Sequence, residues 1–235
     1  MPANQALEKL NRTYELHLQR GFRPISYRGG RYSSGEVTHG FLLDHRFVVD
    51  SSVCPFATWP DEGAPNYYQH SLRPTVIASN AADGHQLCRI PLTRLFTRRP
   101  FQFWNSVHHI IETSPLSKLR LIGIMERINL VRRIWLNFET ESTEAMLWVV
   151  RHAHRLNLPY LCFTVHSSSL SVGPSPYART AEQVDRILNG VERVLAELAA
   201  DPRFQPATLA EIGTHFLDQN ENQQHTNNNL DASTT

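Results

Sequence analysis

An apolar run over residues 161–165 ends abruptly in His166, and three serines follow, Ser167, Ser168 and Ser169. A Gly173-Pro174-Ser175-Pro176 turn comes next, then a polar-capped helical stretch from Thr180. The pattern delivers one titratable imidazole to the mouth of a loop at the carboxyl end of a strand. Enzymes of the α/β class place general acids and bases there. An imidazole that titrates near neutrality can hand a proton to a departing nitrogen. The same pattern also describes a strand-end histidine bonded to a neighbouring backbone group.

Two earlier segments carry further candidates. Arg28 enters an Arg28-Gly29-Gly30-Arg31 turn. A guanidinium grips a carboxylate with a two-pronged fork and keeps it ionised. Arg31 is a rival for that role, and a surface arginine at a turn is the plainer reading of either. Asp50 closes the Val48-Val49 run and precedes Ser51 and Ser52. By itself it reads as an Asx cap on the next turn. Tyr32 and Ser167 are candidate substrate contacts. Trp59, Tyr67, Tyr68 and Trp104 offer apolar faces for a sugar ring, or pins that hold loops to the core. No Gly-x-Ser-x-Gly elbow surrounds any serine, which argues against a serine hydrolase. The pairs His108-His109 and His152-x-His154 have no metal-ligand company. The basic residues Lys118, Arg120, Arg127, Arg132 and Arg133 read as a solvated helix face.

In order, "FRPISYRGGRYSSG", "VVDSSVCP", "CRIPLT" and "FTVHSSSLSVGPSPYART" resemble segments of the polysaccharide deacetylase family, the NodB-type carbohydrate esterases. The resemblance runs from about Gly21 to about Leu217. It implies a partial or distorted (β/α)7 barrel. The implied reaction is metal-dependent hydrolysis of acetyl groups from N-acetylated or O-acetylated glycans. Under it His166 protonates the leaving group, and Arg28 orients a catalytic aspartate. Asp50 supports Arg28 from behind, while Arg31, Tyr32, Trp59 and Ser167 border the sugar. The family's cofactor is a divalent metal, zinc. Its ligands come from an Asp-Asp pair and a His-x-x-x-His pair, and neither motif occurs in this sequence. The chain therefore resembles the carboxyl-terminal part of such a domain. No metal ligand is assigned, and the alternative is a non-catalytic chain that binds glycan or another partner. A barrel without its first strands would leave an open edge beside residues 25–27.

The chain has 235 residues, a hydrophobic fraction of 41% and a formal charge of +1. One domain over residues 1–217 and a polar tail over 218–235 are expected. The balanced charge carries no case for nucleic acid or an anionic membrane as partner. Three widely spaced cysteines, Cys54, Cys88 and Cys162, with no Cys-x-x-Cys, fit a reducing compartment and a cytoplasmic location. No secretory signal opens the sequence as it stands, and no apolar run is long enough to span a bilayer.

Around these residues the periodicity predicts a helix over about 4–20, a strand at 25–27, a helix over 37–43 and a strand at 47–49. Residues 54–80, rich in proline and aromatics, read as one long functional loop. A strand over 87–92 is interrupted by Pro91. Helical patterns follow over the second half of 96–111 and over 117–129. The later chain alternates: strand 133–138, helix 143–156, strand 159–165, helix 180–200, short strand 204–208, helix 209–217. Such alternation argues for βα units and parallel strands. Beyond residue 217 there is almost nothing apolar, and the composition predicts no ordered structure.

Overall fold

Strands form where apolar residues recur at alternate positions. β1 (Ser26–Tyr27), β2 (Val49–Asp50), β3 (Thr75–Ala78) and β4 (Gln86–Arg89) make one sheet in the order β1-β2-β4-β3. The computed structural model describes residues 2–58, 65–79, 84–128 and 130–232. β1, β2 and β4 are parallel, with Ser26 beside Val49 and Val49 beside Cys88. β3 runs antiparallel to β4, Thr75 opposite Arg89 and Ala78 opposite Gln86. The stretch read as a single loop over 54–80 thus contains an edge strand. Its part-exposed, β-branched Thr75-Val76-Ile77 suits an edge that one neighbour completes.

A second, two-stranded sheet joins β5 (Arg94–Phe96) to β6 (Arg133–Trp135), antiparallel. Single hydrogen bonds carry the pairing of each sheet a little past its strand ends. Leu92 N–H donates to Val53 O at 2.8 Å, and Leu136 N–H to Thr93 O at 3.0 Å. The run over 159–165, the strongest strand in the sequence, makes only one parallel bridge, Thr164 beside Asn137. Thr164 N–H donates to Leu136 O at 2.9 Å, and Phe138 N–H to Thr164 O at 3.1 Å. The result is a mixed α/β arrangement, with no closed barrel among the described residues. Among the described residues β1 has a strand neighbour on one side only. Residues 204–208 form no strand.

Among the described residues seven helices accompany these strands: α1 (Ala3–Gln19), α2 (Glu36–Asp44), α3 (Phe101–Thr113), α4 (Leu121–Arg127), α5 (Thr143–His152), α6 (Ala181–Ala199) and α7 (Leu209–Ala232). The largest core lies between α5, α6 and the second sheet. It holds Ile134, Leu136, Met146, Val149, Val150, Ile187 and Val194, all buried. Both helices start on side-chain caps. Ser142 accepts from Ala145 N–H, and Thr180 with Gln183 makes a reciprocal capping box. α5 ends at His152 rather than at 156, in a tight turn through Asn157, whose φ is 48°. No helix among the described residues is long and apolar enough to cross a membrane.

α7 begins on a second reciprocal pair. Thr208 N–H donates to Glu211 Oε2 at 2.7 Å, and Glu211 N–H to Thr208 Oγ1 at 3.2 Å. Its first turns pack Leu209, Ile212, Phe216 and Leu217 onto Val49, Cys88 and Ile90. The helix then continues through Ala232. That departs from the expectation of no ordered structure beyond residue 217. Once packing has nucleated a helix, each further residue adds a hydrogen bond at low cost.

Gly213 is where α7 meets the sheet. A Cβ built there would lie 2.3 Å from Val49 Cγ2. Gly213→Ala therefore forces the helix off β2, at about 1–3 kcal/mol for overpacking, offset by about 1 kcal/mol of helix propensity. The net loss is about 0–2 kcal/mol, so the melting temperature is expected to fall by up to roughly 8 °C, at 2–4 °C per kcal/mol for a chain of this size. A raised value would show that α7 does not bear on β2 as described.

Candidate functional site

The candidate residues sit where segments leave the sheets. Arg28 follows the last residue of β1, and Asp50 is the last of β2. Glu139 lies four residues past β6, and His166 two past the Thr164 bridge. Side chains at the carboxyl ends of strands project past the sheet, free of ladder geometry.

Glu139 was not singled out in the sequence, and it organises the His166 region. Asn137 is buried and turns the chain: its Oδ1 accepts from Glu139 N–H at 2.8 Å and from Thr140 N–H at 3.1 Å. That Asx turn folds the Glu139 carboxylate inward, to 1% side-chain exposure. His166 Nδ1 lies 2.6 Å from Glu139 Oε2, and His166 N–H donates to Oε1 at 3.3 Å. Ser169, fully buried, donates its hydroxyl to the same Oε1. Ser175 Oγ stands 2.7 Å behind Ser169 Oγ and is also buried. The imidazole itself is 66% exposed. The carboxylate fixes Nδ1 as the donor to Glu139, which leaves Nε2 free to exchange a proton with a ligand.

A signal for Glu139 existed. Ile134, Leu136 and Phe138 alternate into the main core. The same period of two places Trp135, Asn137 and Glu139 on the opposite face. A carboxylate on a strand face shared with a tryptophan needs a buried partner.

Arg28 and Asp50 do not pair. Arg28 Nε–H donates to Ser51 O at 3.1 Å, and Nη2 to Ser51 Oγ at 3.0 Å and Cys162 Sγ at 3.4 Å. Asp50, fully buried, looks the other way. Its Oδ2 accepts from Ser34 Oγ at 2.6 Å and stands 3.4 Å from His39 Nε2, while Oδ1 accepts from Ser52 N–H at 2.9 Å. Alternation along β2 is the cause: adjacent residues Asp50 and Ser51 project to opposite sides, so one position cannot serve both partners. Burial acts to raise the Asp50 carboxyl pKa. Hydrogen bonds from His39, Ser34 and Ser52 outweigh it and hold the carboxyl below its ordinary value.

The Arg28 turn is built tightly. Gly29 N–H donates to Ser52 Oγ at 2.9 Å, and a Cβ at Gly29 would stand 1.9 Å from Ser33 O. Arg31, at φ 51°, points to solvent and makes no side-chain hydrogen bond among the described residues. Tyr32 is half-buried, its ring edge-on to Trp135 at 5.8 Å, and its carbonyl accepts from the Tyr67 hydroxyl at 2.7 Å. Burial raises the Tyr32 phenol; the charges of Arg28 and Glu139 both act on it, in opposite senses. Ser167 opens a 3-10 turn, Ser167–Leu170, and is exposed beside His166. Trp59 lies outside the described residues. Tyr67 is a loop pin, fully in the core, and Tyr68 packs on His109 at 4.4 Å.

A cavity of about 460 Å³ is lined by Ser26 and Tyr27 of β1 with Arg28, by residues 160–163, and by Leu209 and Ile212 of α7. Arg28 belongs to its lining and His166 does not.

The donor sets do not fit a catalytic metal. Both oxygens of Asp50 and both of Glu139 already accept hydrogen bonds inside the protein. Among the described residues no three His, Cys, Asp or Glu side chains converge. A catalytic zinc takes about three protein ligands and one open position. Comparison of the chain with family models, with curated proteins and with solved structures finds no match.

Proposed function

We propose that the chain is a polysaccharide-deacetylase-like protein, in which His166 and Glu139 form a proton-transfer pair facing an acetylated glycan. The observation that carries this is a fully buried carboxylate aligning an exposed imidazole at the carboxyl ends of adjacent segments. Protonated, His166 presents Nε2–H to the amine or alkoxide that leaves when an acetyl group is hydrolysed. Glu139 holds the imidazolium, and the Ser169 hydroxyl keeps the carboxylate oriented. Ser167, Tyr32 and Arg31 border the place where a sugar would sit. The parallel run β1-β2-β4, with β1 at its edge, supports the partial (β/α)7 reading. Three free cysteines support a cytoplasmic location.

The internally bonded carboxylates favour glycan binding over hydrolysis by this chain alone. Acetylated oligosaccharides added to the protein are expected to shift the His166 ring resonances. Acetate release, with or without zinc, is expected to stay at the level of His166→Ala. Undisturbed His166 signals with N-acetylated and O-acetylated glycans alike would remove the carbohydrate assignment. Acetate release above that control would show instead that hydrolysis needs no further ligands.

A further inference from the structure

The region between β5 and β6 departs from the rest of the surface. α3, a 3-10 turn (Pro115–Leu119) and α4 form a small hairpin, with α3 and α4 in contact. Its inner side is well packed: Asn105, His108 and Ile111 are buried, and Met125 meets the main core. The same hairpin carries Phe103, Ile110, Leu119, Ile124 and Ile128, each more than half exposed. Phe103 and Ile110 are seven apart and share one stripe of α3. Ile124 and Ile128 are four apart and share one stripe along α4. Single exposed apolar residues are ordinary, but five within twenty-six positions on one hairpin are not.

Cations border these side chains: Arg120 precedes the first turn of α4, and Arg127 ends the helix beside Ile128. Residues 98–128 hold Arg98, Arg99, Lys118, Arg120 and Arg127 against Glu112 and Glu126, a net +3 within a chain whose total is +1. Glu112 is engaged by Arg133 at 3.1 Å. Arg98, Lys118, Arg120 and Arg127 meet no carboxylate among the described residues and are exposed. The balanced whole-chain charge hides this local excess.

We propose that the α3–α4 hairpin is a peripheral docking surface for an anionic phospholipid bilayer. Large aliphatic and aromatic side chains flanked by unpaired Arg and Lys match the two layers of such a surface, acyl boundary and headgroup phosphate. A second copy of the chain is a poor occupant, because its own unpaired cations would meet these. Nucleic acid would pair with the cations but gain nothing from exposed isoleucines. The inference is independent of the glycan reading.

The test is co-sedimentation of the full chain with vesicles of phosphatidylcholine, with and without an equal share of phosphatidylserine. Binding is expected to the anionic vesicles only, and to weaken as salt is raised. Arg120→Gln with Arg127→Gln should weaken it about twenty- to thirtyfold, at about fivefold per cation. Ile124→Ser with Ile128→Ser should weaken it at least tenfold, with an unchanged melting temperature because both side chains are exposed. Leu195→Ser, at an exposed leucine of α6, should change nothing. Equal binding to both vesicle types, binding to neither, or full binding by either double variant would overturn the proposal. So would a self-associated species dissolved by the isoleucine variant, or an RNA released by the arginine variant without any vesicle binding.

Discussion

Glu139→Ala is expected to destabilise the protein by about 2–4 kcal/mol, while His166→Ala costs under about 1 kcal/mol. The asymmetry follows from where each partner sits. The Glu139 side chain is 1% exposed and the His166 side chain 66%. Truncating the imidazole removes a group that water can replace. Truncating the carboxylate strips the acceptor from Ser169, which is fully buried with Ser175 behind it. Water cannot reach those hydroxyls without opening the 166–177 loop. Glu139→Gln keeps an acceptor in place and should cost about half as much or less. Denaturant midpoints of the three variants decide the matter. Equal losses for Glu139→Ala and His166→Ala would mean that the pair is only a surface ion pair. The same set bears on function, since Glu139→Gln leaves the ring in place with a weakened anchor. It should keep glycan binding but broaden the His166 resonances, whereas His166→Ala loses the signal altogether.

Asp50→Asn should cost about 2–3 kcal/mol at neutral pH, and the loss should shrink in acid. The carboxylate has no solvent exposure and accepts from Ser34 and from Ser52 N–H, with His39 close by. Asparagine offers one oxygen and turns an NH₂ toward groups that now donate. The pH dependence has a definite sign. Asp50 has a folded pKa below its ordinary 3.8, so the folded state binds fewer protons than the unfolded state there. Its stabilisation is whole above that value and is lost as pH falls through the folded pKa. The gap between wild type and Asp50→Asn should therefore be constant from neutral pH to about 5 and narrow below about 4. A gap that is the same at every pH would mean that Asp50 contributes shape rather than charge. Because Ser34 and His39 belong to the turn and helix after β1, the variant should also loosen the Arg28 turn.

Much of the element order is legible in the chain. α6 was readable to within a residue, because its apolar stripe and its Thr180–Gln183 box are both local. α2, β1 and β2 fall where the short apolar runs place them. β3 was hidden inside a stretch rich in proline and aromatics, since its strand character comes from the partner β4 and not from its own pattern. The run at 159–165 misled in the opposite direction. Its residues suit a strand, but a ladder needs edges on both sides, and only Thr164 meets one in register.

The residue types at the candidate site were fixed by sequence alone: a histidine after an apolar run, an arginine in a glycine turn, an aspartate at a strand end. Those are local facts of pattern and backbone preference. Tertiary structure alone decided who partners whom. Arg28 takes Ser51 and Cys162, Asp50 takes Ser34 and His39, and His166 takes Glu139. Each of these pairings but one spans more than fifteen residues of chain, and hydrogen bonds of a few ångströms depend on which face each strand residue presents. The alternation of side chains along β2 and β6 sets that choice, and it acts only once the strands have found their neighbours.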